Sequence, residues 1–136
     1  MKIKSELRKR VEAFISSSPS YKEAGGFLFE NRNGIVADFL PIPNISTKPE
    51  GEFKTNWKEA KETALRYAYS KRGYRISAFF HSHPEPCIMS AADLGAAGSI
   101  YPDIDFVTIT PLKNTYSHRE YIWYACRGIK PIKIEY

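Results

Sequence analysis

Two histidines stand one residue apart in the run His81-Ser82-His83-Pro84, and a serine and an aspartate follow at Ser90 and Asp93. On a strand, side chains alternate, so residues two apart share a face and two imidazoles can converge on one ion. Histidine nitrogens bind zinc at about 2.0–2.1 Å. Pro84 removes a backbone donor and ends the strand, which places the pair at a strand mouth. Ser90 and Asp93 have capping-box spacing: a serine at a helix start and an acid in the first turn beside the positive helix end. The cap does not exclude a metal role, because it fixes a helix start near the strand mouth and turns Asp93 towards it. Two histidines and a carboxylate make a catalytic zinc set, with the fourth position left for water. Each piece also has a plain reading, as two unrelated histidines and an ordinary helix cap.

Such a set needs a base. Glu23 precedes Gly25, Gly26 and the apolar run Phe27-Leu28-Phe29. Two glycines at the beginning of a strand suit close approach of another backbone. An exposed loop carboxylate is the plain alternative for Glu23, and Glu30, Asp38 and Glu85 are rival acids.

The elements that must position these residues are legible as hydrophobic periodicity. Leu7, Val11, Phe14 and Ile15 repeat at helical spacing between about Ser5 and Ser17. "GGFLFE" and "GIVADFLPIP" read as strands joined by the turn "NRNG". Pro41 and Pro43 end the second strand or place it at an edge. A second helix runs over Asn56 to Gly73, capped by Thr55 or Asn56 and stopped at Gly73. Its apolar face is Trp57, Ala60, Ala64, Tyr67 and Ala68. "YRISAFFHSH" is a strand, Ser90 begins a short helix, and "IDFVTITP", "REYIWYACR" and "IKPIKIEY" are further strands. The order predicts one α/β domain over residues 1–136, with a mixed, mostly antiparallel sheet flanked by helices.

The chain has 136 residues, of which 43% are hydrophobic. That supports one packed core and excludes disorder. It holds no apolar run of membrane-spanning length, and the N-terminus does not read as a signal peptide, which points to the cytoplasm. Two cysteines make no disulfide framework. Cys126, in an apolar strand, reads as core. His118 reads as an exposed turn residue. The net charge of +5 is scattered along the chain and does not form a nucleic-acid footprint.

Taken together, Glu23 with Gly26 and Leu28, then His81-Ser82-His83-Pro84, then Ser90 and Asp93, resembles the JAMM motif of the JAB/MPN metalloprotease family. "YPDIDFVTIT" is similar to the family's turn and strand after the metal helix, and the resemblance runs from about Ser5 to the end. It implies a cytidine-deaminase-like architecture and one Zn²⁺ per chain, held by His81, His83 and Asp93. It also implies amide or isopeptide hydrolysis, with Glu23 as general base and Ser90 as oxyanion donor. Ser82 faces away from the metal by alternation and reads as structural. Six residues separate His83 from Ser90, where the family more often has seven. Cys87 lies in that loop and could be a fourth ligand.

The resemblance implies a ubiquitin-like protein or its conjugate as partner, with activating and conjugating enzymes of the E1 and E2 type encoded nearby, as in an antiviral conjugation system. The short chain lacks the insertions with which eukaryotic members grip ubiquitin, and so resembles a minimal prokaryotic member. Alternatives are an amidase acting on a sulfur-carrier adduct or a small peptide, and a non-catalytic scaffold of the same fold. "FLPIPNISTKPEGEF" could offer an edge to an extended substrate tail, or be a plain connection.

Overall fold

The computed structural model describes residues 1–18, 22–48, 52–83, 103–112, 120–128 and 130–136. They form β1 (Lys2–Ile3), α1 (Ser5–Ser17), β2 (Gly25–Glu30), β3 (Ile35–Ile42), α2 (Trp57–Ser70), β4 (Arg75–Ser82), β5 (Asp105–Pro111), β6 (Tyr121–Arg127) and β7 (Lys130–Ile132). The strands make one sheet in the order β1-β3-β2-β4-β5-β6-β7. Pairings β1/β3 and β4/β5 are parallel, and the rest are antiparallel. The sheet curls until its edges are stitched together. Ile3 N–H donates to the Glu135 carbonyl at 2.8 Å, and Glu135 N–H donates to that of Met1 at 2.7 Å. No helix among the described residues is long and apolar enough to cross a membrane.

Helix α1 buries Leu7, Val11 and Ile15 against Leu28, Val36, Phe80, Val107, Ile109 and Trp123 on one face of the sheet. Four-residue spacing puts those three side chains on one stripe. The helix ends where serines compete for its carbonyls: the hydroxyls of Ser17 and Ser18 both donate to the Phe14 oxygen. Helix α2 covers the other face. Asn56 caps it, its side chain accepting from Glu59 N–H at 3.2 Å. Its buried residues are Ala60, Ala64 and Ala68, small enough for the helix to settle on Phe27, Phe29, Phe79 and Phe106. Phe79 anchors that layer, with ring centroids of Trp57, Phe27 and Phe53 at 4.9, 5.1 and 5.4 Å.

The sequence reading missed β1, and of its two alternatives for Pro41, a strand end or an edge, the edge is the one found. Pro41 lies inside β3, opposite Gly26. It is tolerated because β1 pairs only with Ile35 and Val36, so the later part of β3 is an edge. Register irregularities at Phe29/Glu30 and Leu28/Phe29 shift β2 against its neighbours, and residues on both sides of the shift still reach their cores.

Asp38, on β3, ties the two helices to the sheet. It accepts from the Tyr67 hydroxyl at 2.7 Å and pairs with Arg10 and Lys71 at 3.5 and 3.7 Å. Burial, and then the neighbouring Asp38 carboxylate, push the Tyr67 phenol up to about 12 from 10.0. The folded chain therefore holds this proton more tightly than the unfolded one. The stabilisation is complete below pH about 10 and is lost as pH rises through about 12. An absorbance titration of phenolate should show a late-ionising tyrosine near pH 12 that is gone in Tyr67→Phe. An unchanged curve in that variant would refute the assignment.

Candidate metal centre

The site lies at one end of the sheet, where β2 begins and β3, β4 and β5 end. His81 is on β4, a central strand with β2 on one side and β5 on the other. Its lateral neighbours are Gly25 and Thr108. Gly25 has no side chain to fill the space beside His81, and a Cβ there would stand 2.9 Å from the Phe80 carbonyl oxygen and 2.7 Å from the Phe53 ring. Gly26 is tighter still, because a Cβ there would collide with the Leu40 carbonyl oxygen. The two glycines thus permit the close strand approach that their position suggested. The Phe106 ring packs 5.0 Å from the His81 ring.

His83 lies just past β4 but stays in register, its N–H donating to the Ile109 carbonyl at 3.0 Å. Two residues apart along this extended path, the imidazoles share a face. Their Nε2 atoms are 3.1 Å apart, and the rings meet edge to face. Glu23 arrives from the chain leading into β2, and its Oε1 lies 3.8 Å from each Nε2. The three side chains are only 7%, 4% and 11% exposed for Glu23, His81 and His83. Burying a carboxylate is costly unless it is paired, so the exposed-loop reading of Glu23 does not hold. Of the rivals, Glu30 pairs with Arg75 at the far end of β2 and Asp38 serves the helix anchor; Glu85 lies outside the described residues.

Glu23, His81 and His83 offer ligand atoms within 4.8 Å of one another, a group that could hold a metal ion. The donor set fits zinc. Two nitrogens bound tetrahedrally at 2.0–2.1 Å stand about 3.3 Å apart, close to the separation seen here. Ser90, Asp93, Cys87 and His118 lie outside the described residues, as does the expected short helix from Ser90. The cluster that is described contains the proposed base and two of the three proposed ligands.

Ser82 and Asn44 complete the surroundings. The Ser82 hydroxyl accepts from Ala24 N–H at 2.9 Å, and Ser82 N–H donates to the Ala24 carbonyl at 2.8 Å. The serine between the histidines thus holds the residue next to Glu23, as its structural reading anticipated. Asn44 donates to the Glu23 carbonyl oxygen at 3.0 Å. The sequence reading missed it, since an asparagine after a proline in a polar stretch looks like any loop residue. Cys126 is buried with the aromatic layer, as expected of a core thiol.

Among solved structures, the chain is similar to protein DSY2949 from Desulfitobacterium hafniense, at 22% identity and a TM-score of 0.73, covering 98% of this chain and 90% of that one. It is also similar to AF2198, a JAB1/MPN domain protein from Archaeoglobus fulgidus, at 20% identity and a TM-score of 0.57, covering 99% and 97%. A protein from Salinibacter ruber aligns at 17% identity and a TM-score of 0.56, covering 92% and 80%. No protein-family model and no curated protein matches the chain. The fold is that of a JAB/MPN domain, a mixed α/β architecture with a curled seven-stranded sheet and two helices among the described residues.

Proposed function

We propose that the chain, as a single domain, is a JAMM-type zinc metallopeptidase that hydrolyses the amide bond after the C-terminal tail of a ubiquitin-like protein, either in deconjugation or in precursor processing. The observation that carries this reading is the buried meeting of Glu23, from the chain leading into β2, with His81 and His83, at and just past the end of β4, within 3.8 Å of one another. His81, His83 and Asp93 would hold the ion. Bound zinc would supply a Lewis acid for the scissile carbonyl and bring the pKa of a bound water towards neutrality. Glu23 would take the proton of the attacking water and pass it to the leaving amine. Ser90 would donate a hydrogen bond to the carbonyl oxygen as it gains charge. The cellular setting proposed is a prokaryotic conjugation system in the cytoplasm, such as an antiviral one.

The test is cleavage of a ubiquitin-like protein ending in Gly-Gly and fused through that terminus to a reporter. Mass spectrometry should place the cut after the last glycine, with activity lost to a chelator and restored by zinc. An intact fusion in the presence of the zinc-loaded chain would refute the substrate class.

A further inference from the structure

Glu23 lies outside β2, and the chain there is held from both sides, at Glu23 by the Asn44 side chain and at Ala24 by Ser82. The antiparallel register of β2 with β3 sets Gly26 opposite Pro41 and Gly25 opposite Ile42. Carried two residues further, it sets Glu23 opposite Asn44, although neither residue belongs to a strand. Asn44 Nδ2 supplies the missing bond, donating to the Glu23 carbonyl oxygen at 3.0 Å. The same Nδ2 donates to the Glu52 carbonyl at 2.9 Å, and Asn44 Oδ1 accepts from Ser46 N–H and Lys54 N–H, each at 3.1 Å. A carboxamide has two donor hydrogens and two acceptor lone pairs. All four are used, so this side chain is locked in one orientation. On the opposite flank, Ser82 holds the next residue, Ala24, by one bond to its side-chain oxygen and one from its backbone N–H.

We infer that Asn44 is a positioning residue for Glu23. Its donor arm fixes the Glu23 backbone so that the carboxylate faces both imidazoles at equal distance. The inference rests on the reading of Glu23 as the base. Asn44 touches only backbone atoms in these four bonds, so it acts through Glu23. It also ties the Glu23 position to the two segments at Ser46 and Lys54, where Ile45 N–H donates to the Lys54 carbonyl at 2.8 Å.

Asn44→Asp isolates the donor arm. It keeps the acceptor for Ser46 and Lys54 and sets an oxygen against the carbonyls of Glu23 and Glu52. The zinc-loaded variant should retain the metal stoichiometry of the parent chain. On a peptide ending in Gly-Gly-aminomethylcoumarin, kcat should fall about ten- to a hundredfold, as small misplacements of a catalytic group do, with KM within about twofold. Nuclear Overhauser effects between the Glu23 γ-methylene and the ring protons of His81 and His83 should weaken or vanish. A merely structural role would lower the melting temperature and leave those Overhauser effects intact in the folded fraction. Overhauser effects that persist at full strength, or a kcat that stays unchanged when they vanish, would overturn the inference. If the parent chain binds zinc but does not cleave the peptide, the peptidase reading fails and the Overhauser effects alone decide this one. Asn44→Ser, which shortens the arm without adding charge, carries the same outcomes if the aspartate variant does not fold.

Discussion

Glu23→Gln should keep its zinc and lose turnover by about 10²–10⁴-fold, the range general bases contribute. Glutamine matches glutamate in size, and its amide oxygen can still face His81 and His83. What it lacks is a group basic enough to take up a proton. The side chain is only 7% exposed, so exchanging a carboxylate for a neutral amide removes a desolvation penalty. The variant should therefore be at least as stable as the parent. The kinetic signature is a fall in kcat with little change in KM, the mark of an interaction that matters in the transition state. Persistent cleavage would place the base elsewhere. Among the described rivals, Glu30 and Asp38 are already engaged with Arg75 and with Tyr67, Arg10 and Lys71.

His81→Ala and His83→Ala should each abolish high-affinity zinc binding, and with it the stabilisation that zinc confers. A ligand that binds only the folded chain at a thousand times its Kd adds about 4 kcal/mol. The parent chain should therefore melt at a higher temperature in zinc, and both variants should not. The two should differ without metal. His81 is buried, with the Phe106 ring at 5.0 Å, so truncating it also loosens packing, by about 1–3 kcal/mol. His83 lies past the strand end and is more exposed, so its loss should cost less. Melting curves with and without zinc separate the two contributions. A zinc shift that survives in either variant would mean that the ion sits elsewhere.

The elements that carry long apolar patterns are legible in the amino-acid sequence. Leu7, Val11 and Ile15 announce α1, the alanine face announces α2, and the β-formers of 75–82 announce β4. Strand β1 is not legible, because two residues have no period. Lys2 and Ile3 become a strand only because Ile35, Val36 and Glu135 reach them from far along the chain. Pro41 left two readings open for a related reason: whether a proline ends a strand or sits on its edge depends on whether a neighbour needs its N–H, and that is a property of the sheet. At the site, alternation is enough to place His81 and His83 on one face, and the two glycines before Phe27 mark the close approach. The meeting of Glu23 with the histidines needs the antiparallel pairing of β2 with β4, which spacing alone does not specify. Asn44 is hidden further, behind a register that a bulge in the β2/β3 pairing displaces. Ser90 and Asp93, read from the sequence as oxyanion donor and third ligand, remain assigned by resemblance.

The metal centre, an ion held at His81 and His83 with Glu23 beside it, is tested most directly by elemental analysis of the chain purified without chelators and dialysed against metal-free buffer. About one zinc per chain is expected in the parent and in Glu23→Gln, and none in His81→Ala or His83→Ala. A parent chain that holds no zinc, or histidine variants that keep it, would mean that His81 and His83 are not zinc ligands.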